Sequence, residues 1–499
     1  MLFSIRLCQV RGLRWVCSLL LLTLLSQWSL AQTISIRGTH FVDETGATII
    51  FRGYNIQEKA PPFQPIQSGA DLDILQEMGA NLIRLNFVWE AAEPELGIYD
   101  ARYFDYYDRV VNWAWARGMH VLIDFHNNAF SRYAAKGCGS GFPRWALSPD
   151  VAAVEPRPNG SCVFSTSMMQ AMLSEDNRAH WEDFMTDRHG VRTRFFELTR
   201  RLAEKYADHP AVIGFDLNEP MVFKPILQYD SALANQFFND WQKFIQSIHP
   251  RYITFFGDSP FQFIFINQPP HLDIPPTGNV SFDAHFYEPG ASGFGRPLFG
   301  TANSINAIVA TRDHYQIPVL VGEFGANLKG NHNRYFQYQM DQVLRQFDQE
   351  MLSSTRWNYT PHWNPVQKDH FHDEDFSCFD DQRRVRESCA PRASLQRLSG
   401  ELISIDIHHQ GEAKLFFPLV PRLSDWWRYT DTVVDIRWQH HPEQGATRIY
   451  AARQRLFGGA PVRIETEGDG LDCSYDSDQR YVNCSSATAG EKRVRIMSP

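Results

Sequence analysis

The sequence predicts an α/β fold: a (β/α)8 TIM barrel with a C-terminal β-sandwich. Three observations carry this. Short apolar runs alternate eight times with longer amphipathic segments, charged motifs stand at the C-terminal ends of several runs, and beyond about residue 390 only short strand-like runs remain.

In the 499-residue chain the apolar runs lie at 49–55, 81–87, 119–125, 212–217, 252–256, 280–286, 319–324 and 355–359. Each has the length and flanking turn residues of a buried strand. Between them, apolar residues recur at helical spacing over 71–78, 103–117, 192–206, 232–248, 305–315 and 335–351. Gly79, Gly118 and Gly257 fall where the connections call for positive φ. Eight strand–helix units in series close into a parallel barrel more readily than they form a doubly wound sheet. The connection from 127 to 189 is too long for a simple barrel loop and contains Met168, Met169 and Met172. It reads either as a substrate lid or as a packed Met-rich helix. Runs at 402–407, 433–438, 446–451, 462–465 and 493–497 read as the strands of the sandwich.

The N-terminal segment reads as a leader. Arg6, Arg11 and Arg14 precede an apolar run from 16 to 25, and Ser29-Leu30-Ala31 offers a small-x-small cleavage site. The run is shorter than the ~20 residues of a spanning helix, so cleavage after Ala31 is expected rather than membrane anchoring. The domains are then 1–31 leader, 32–395 barrel and 396–499 sandwich, in a secreted or periplasmic protein without stable membrane insertion. The net charge of −9 includes those leader arginines, so the remainder is more acidic still. That balance excludes nucleic acid as a partner. With 36 Phe and 13 Trp, most aromatic rings must be core, though barrels this aromatic often stack sugars.

Cysteine usage agrees with export. Beyond the leader, six cysteines fall in local couples, Cys138/Cys162, Cys378/Cys389 and Cys473/Cys484. An even number in an exported chain reads as disulfides, and the nearest-neighbour pairing is expected. No zinc-ligand spacing accompanies them. Asn159, Asn279, Asn358 and Asn483 each open a glycosylation sequon.

The chemistry concentrates at strand ends, where barrel loops vary without disturbing the core. Strand four runs into Asn218-Glu219-Pro220, strand seven into Glu323-Phe324-Gly325, and strand two carries Arg84. Strands four and seven face each other across an eight-strand barrel, which suits a pair of carboxyls on either side of one sugar. Retaining glycoside cleavage places such a pair ~5–5.5 Å apart, one as nucleophile and one as acid/base. Glu323 fits the nucleophile, kept ionised by a cation such as Arg84. Glu219 fits the acid/base, holding its proton beside a negative neighbour. Each motif alone has a bland explanation: a helix entrance, a tight turn, a buried ion pair.

Further motifs carry a resemblance. Phe51-Arg52-Gly53-Tyr54-Asn55 with Lys59 and Pro61-Pro62, Trp89-Glu90-Ala91-Ala92-Glu93-Pro94, Phe142-Pro143-Arg144-Trp145 and Glu374-Asp375-Phe376-Ser377 join the two glutamates. On these, nearly the whole chain beyond the leader resembles glycoside hydrolase family 5, within its endoglycoceramidase-like, glycolipid glycosidase branch. The resemblance implies that Asn218 hydrogen-bonds the sugar 2-hydroxyl, and that Arg84 and Tyr287 hold Glu323. It also implies that His126 and His285 line the site, that Trp357 stacks under the reacting sugar, and that Lys59, Asn128 and Trp145 contact the glycan. It implies no cofactor and no metal. The chain departs from the branch at His126-Asn127-Asn128, where His-Gln-Asp is usual, and at His370-Phe371-His372-Asp373, where a tryptophan and an asparagine are usual. Both changes lie where the glycan is gripped. The grouping of His362, His370, His372 and Asp373 reads as a polar rim rather than a metal site.

The expected activity is hydrolysis of the β-glycosidic bond joining glycan to lipid, with a stretch at 261–266 and the Met-rich segment as candidate lipid contacts. An endo-β-glucanase acting on polysaccharide is the second reading and a non-catalytic glycan-binding protein the third. Binding alone does not need a matched acid and nucleophile. The sequence says nothing about oligomeric state.

Overall fold

The computed structural model describes residues 33–157, 173–218, 220, 222–223, 229–257, 277–287, 301–325, 334–362, 375–386, 389, 391–410 and 431–498. Eight parallel strands close into a barrel: β1 (Arg52–Ile56), β2 (Leu82–Asn86), β3 (His120–Phe125), β4 (Val212–Leu217), β5 (Ile253–Gly257), β6 (Val280–Phe286), β7 (Val319–Phe324) and β8 (Ser353–Tyr359). They follow one another in chain order around the ring, and β8 pairs with β1. Seven of the eight runs expected as barrel strands are such strands within two residues at each end, and the first, expected at 49–55, is one only from Arg52 onward. The six expected helices are also present, from Asp73–Glu77, extended by a 3-10 turn at Gly69–Leu72, to Arg334–Gln349. Gly79 and Gly118 have positive φ as expected, whereas Gly257 closes β5 without it. A helix the sequence did not resolve, Glu175–Thr186, lies in the long connection after β3.

Inward-pointing residues stack in layers, because side chains alternate along a strand. Leu82, Arg84 and Asn86 rise along β2, while Leu122 and Asp124 rise along β3 towards His126 beyond its end. The lowest layer is apolar: Leu82, Leu122, Ile213, Ile253 and Leu320 form one buried cluster with Ile34, Phe41, Ile49 and Phe51. Phe41 meets Phe51 edge-on at 5.3 Å and stacks on Phe255 at 6.2 Å. The N-terminal segment thus plugs the barrel floor.

That segment differs from expectation. The predicted strand at 49–55 is two strands, for Thr48–Ile49 belongs to a separate seven-stranded sheet and β1 begins only at Arg52. Ser35–Arg37, His40–Val42 and Thr48–Ile49 continue this sheet through Ser394–Leu398, with Ile49 paired to Arg397 and Thr48 to Leu398. The expected domain limit at 395/396 therefore falls inside a strand. A four-stranded sheet, Gly400–Gln410, Asp431–His440, Gly490–Met497 and Arg463–Glu467, packs over the seven-stranded one. Leu395, Leu398, Ile405, Ile436, Trp438, Ile449, Val482 and Val494 fill the space between them.

Two of the expected disulfides are formed, Cys378–Cys389 and Cys473–Cys484, the latter between directly paired strand residues. Cys138 is disulfide-bonded, and Cys162 lies outside the described residues. So do the leader, Met168, Met169, Met172, Asn159 and the stretch at 261–266. Asn358 is fully buried, so its sequon offers no attachment point for a glycan. Among the described residues no helix is long and apolar enough to cross a membrane.

His120 opens β3 between Phe51, at 5.9 Å, and Trp115, at 5.6 Å, in the barrel wall. Burial drives its pKa down to about 4, against a smaller upward pull from the Ala211 and Pro210 backbone. The native state therefore prefers the neutral ring. The resulting stability is complete above the unfolded value near 6.5 and is lost as pH falls towards 4. The unfolding free energy of the parent should drop, relative to a His120→Phe variant, by about 3 kcal/mol over that window. Urea titrations at several pH values measure this, and parallel pH profiles would refute it.

Candidate active site

The polar layer above the apolar floor is organised by Arg84, which is fully buried in the middle of β2. Four carboxylates surround its guanidinium: Asp124 at 3.1 Å, Asp216 at 2.6 Å, Asp283 at 3.5 Å and Glu323 at 3.0 Å. Its Nη1 also donates to Asn55 Oδ1 at 2.9 Å, and Nη2 to Asn218 Oδ1 at 2.8 Å. Asn55 is itself fixed by donating to the Gly322 and Thr355 carbonyls, at 2.7 and 3.2 Å. One cation cannot neutralise four anions in a low-dielectric interior, so some carboxyls must hold protons. Burial, together with the charge of Asp283, pushes Asp216 well above the usual carboxylate range. Burial also lifts Asp124, to about 6, against the downward pull of Arg84. Asp283 goes the other way: Arg84 and His285 overcome its burial and hold it below the usual range.

Glu323 sits at the end of β7 through a local irregularity. Val321 pairs with Ala284 and Glu323 with the next residue, His285, which leaves Gly322 as a bulge. A bulge rotates the following side chain, and here it turns Glu323 into the barrel. Only glycine fits, since a Cβ at 322 would lie 1.9 Å from Asp283 Oδ1. Glu323 is buried, with Oε1 accepting from Arg84 and Oε2 from the Tyr287 hydroxyl at 2.9 Å. His285 lies between two acids, with Nδ1 3.5 Å from Glu323 Oε2 and Nε2 3.3 Å from Asp283 Oδ2. The Tyr287 ring rests edge-on against Phe376 at 5.7 Å, and the adjacent Asp375 is paired with Arg386.

Asn218, just past β4, is locked into the same network. Its backbone N–H donates to the Phe125 carbonyl at 3.3 Å, and its side chain donates to the Asn127 carbonyl at 3.1 Å. The Asn127 amide returns a bond to the Asn218 carbonyl at 2.6 Å. One amide proton of Asn218 is left over for another acceptor. Glu219 lies outside the described residues, between the described Asn218 and Pro220.

Beside Asn218, just past β3, His126 Nδ1 meets Asp124 Oδ2 at 2.8 Å, and its ring stacks on Trp357 at 5.2 Å and 17°. Burial, then the nearby Lys59, drives the His126 pKa well below its ordinary value, so the ring is neutral. Its Nε2 is buried without a hydrogen-bond partner, as is Asn128 Oδ1. Lys59 Nζ lies 4.7 Å from the Trp357 ring centre. Nine of the eleven sequence-expected site residues thus fall at this rim around one polar layer: Arg84, His126, Asn218, His285, Tyr287, Trp357, Lys59, Asn128 and Glu323. Trp145 stands further out in the β3 loop, where its Nε1 donates to the Glu93 carbonyl at 2.9 Å. The Trp89–Pro94 motif is a brace. Trp89 Nε1 donates to Glu93 Oε2 at 2.9 Å, Arg194 pairs with Glu93, and Arg132 pairs with Glu90. His362 lies 3.4 Å from Asp71, while His370, His372 and Asp373 are outside the described residues.

Sequence reasoning missed Asp124, Asp216, Asp283 and Asn55. A signal existed, since each is a polar residue in or beside an apolar strand, and Asp124 and Asp283 stand two positions before a histidine.

Such a carboxylate-rich layer at the C-terminal mouth of a (β/α)8 barrel is the arrangement of glycoside hydrolases, and the comparisons agree. Residues 42–362 match the family profile described as Cellulase (glycosyl hydrolase family 5), and the chain belongs to that family. More particularly, it is 34% identical over 192 residues to endoglycoceramidase I of Rhodococcus hoagii (strain 103S), covering 38% of this chain and 37% of that one. It is 27% identical over 215 residues to an endoglycoceramidase of Cyanea nozakii, covering 38% and 42%. The chain thus spans less than half the length of these two relatives. Endo-glycoceramidase II from Rhodococcus sp., solved as a five-membered iminocyclitol complex, shares the fold with a TM-score of 0.69 at 19% identity, over 93% of this chain and 100% of that one.

Arg84→Met would leave four buried carboxyls facing one another. Removing one partner of a buried ion pair costs about 3–5 kcal/mol, so the urea midpoint should fall sharply at pH 8. The loss should shrink as pH falls towards about 6, because without the downward pull of Arg84 the variant's Asp124 takes up its proton at a higher pH than the parent's. A variant as stable as the parent at pH 8 would overturn the hub assignment.

Proposed function

We propose that this chain is a retaining β-glycosidase of glycolipids that cleaves the bond between glycan and lipid. The observation that carries the reading is Glu323, turned into the barrel by the Gly322 bulge and held at both oxygens by Arg84 and Tyr287. Such a group is fixed in place and has no freedom to turn away from an anomeric carbon above it. The names of the relatives, endoglycoceramidases and glucosylceramidases among them, favour a lipid-linked sugar.

In this reading Glu323 attacks the anomeric carbon while Glu219 gives its proton to the departing oxygen, so that one bond forms as the other breaks. Esterification removes the charge of Glu323. Glu219, now a carboxylate, takes a proton from water, the water oxygen attacks the same carbon, and Glu323 leaves. Asn218 offers its spare amide proton to the 2-hydroxyl. His126 and His285 line the pocket, Trp357 supports the reacting sugar, and Lys59, Asn128 and Trp145 contact the glycan further out. Acceptor atoms that are buried yet unpartnered at His126 and Asn128 suit sugar hydroxyls. The disulfides favour an exported protein whose leader ends at Ala31. The barrel forms the catalytic domain, and the sandwich, joined by residues 33–49, is an accessory one. A β-glucanase is the second reading, favoured by the family description as cellulase.

Chromatography of products from glucosylceramide and from a β-glucan separates the two, with release of free ceramide expected. Glu323→Gln should keep the parental circular dichroism yet lose about three orders of magnitude or more in turnover. Glu219→Ala should slow natural glycolipids far more than activated aryl glycosides, whose leaving groups need little protonation. Equal losses on both substrates would remove Glu219 from the acid role.

A further inference from the structure

Outside the barrel mouth, the seam between β8, β1 and the strand Ser394–Leu398 holds a cluster of three arginines. Arg52 and Arg392 are fully engaged. Arg52 Nη2 pairs with Asp348 at 2.8 Å, and Arg392 Nε pairs with Asp341 at 2.8 Å. Arg392 also pairs with Asp348, and its Nη2 donates to the Ile407 carbonyl at 2.8 Å. The third, Arg356, points outward from β8 because the next residue, Trp357, points in. It is only 6% exposed. Among the described residues no carboxylate pairs with it and no acceptor receives its protons. Its contact is with the ring of Phe324, 5.5 Å away. Among the described residues, the three guanidiniums of the cluster face two carboxylates and are one negative charge short.

These side chains line one cavity of about 60 Å³, together with the hydroxyl-bearing Tyr54, Ser354 and Ser394. No carboxylate is among the described residues that line it. Water needs ~10–15 Å³ of such space, so there is room for a small ion and little more. Leaving a guanidinium desolvated and unpaired costs several kcal/mol, which a matched anion offsets through charge-assisted hydrogen bonds. Burial drags the Arg356 pKa down to about 10, partly countered by Tyr54, so the group stays charged at neutral pH.

We propose that this seam is a binding site for a small inorganic anion, between chloride and phosphate in size, seated on the Arg356 guanidinium. The anion completes the charge balance of the arginine cluster and ties β1 and β8 to the strand Ser394–Leu398. It is distinct from the catalytic layer, because Arg356 and Trp357 lie on opposite faces of the same strand.

The test uses the full chain, exchanged into a buffer whose only anion is bulky gluconate. Chloride, sulfate and phosphate are then added separately at constant ionic strength, and thermal unfolding is followed. The parent should gain a few degrees in Tm, saturating with anion concentration as a specific site does. The anion with the lowest half-saturation identifies the preferred occupant. Arg356→Met should show no saturable gain, and in gluconate it should melt at or above the parent, because it lacks the unpaired charge. An identical anion response in both proteins would mark a general salt effect and overturn the proposal. So would a variant that melts well below the parent in gluconate. Should the variant fail to fold, crystals of the parent grown in bromide decide: an anomalous peak beside the Arg356 guanidinium supports the site, and its absence overturns it.

Discussion

The fold's working end depends on one buried cation. From the middle of β2, the Arg84 guanidinium fork reaches side chains of β1, β3, β4, β6 and β7 and of Asn218, and six side chains take their orientation from it. Planar, permanently charged and rich in donors, arginine suits this place in a way lysine does not. Around it the requirements cascade. Asn55 must turn its oxygen inward, Asp216 must keep a proton, and Gly322 must lack a side chain so that Asp283 can approach the backbone. The rim histidines hang on the same framework, each bonded to an aspartate that the arginine controls.

Much of this architecture was legible in the sequence, because a barrel strand buried on both faces has few ways to disguise itself. The run Val319–Phe324 shows both the success and its limit. Its apolar character fixes the strand, but strict alternation would turn Glu323 outward, and only the bulge at Gly322 corrects this. A bulge depends on pairing with neighbours far away in sequence, which a linear reading does not contain. Asp124, Asp216 and Asp283 escaped for a related reason, since an isolated aspartate in an apolar run carries no label saying that three others converge on it.

The strands at Asp472–Tyr475 and Tyr481–Ser485 were hidden for the opposite reason. Asp472–Tyr475 has no buried residue and Tyr481–Ser485 buries only Tyr481, Val482 and Cys484, so the apolar signal is weak, and the pairing of Cys473 with Cys484 supplies the register that hydrophobic pattern does not. Aromatic abundance proved mainly structural. Phe130, Phe142, Trp181, Phe184 and Phe195 interlock beneath the long connection after β3, and Trp89 braces its neighbours instead of facing a ligand.

The shared ownership of residues 33–49 has a consequence for how this protein can be cut or recombined. Its first three strands seal the barrel from below and also extend the seven-stranded sheet. The barrel is therefore not a detachable cassette. Any chimera that grafts a foreign tail onto this barrel must bring a matching head segment with it, or leave one edge of the graft bare and the floor of the barrel open to water.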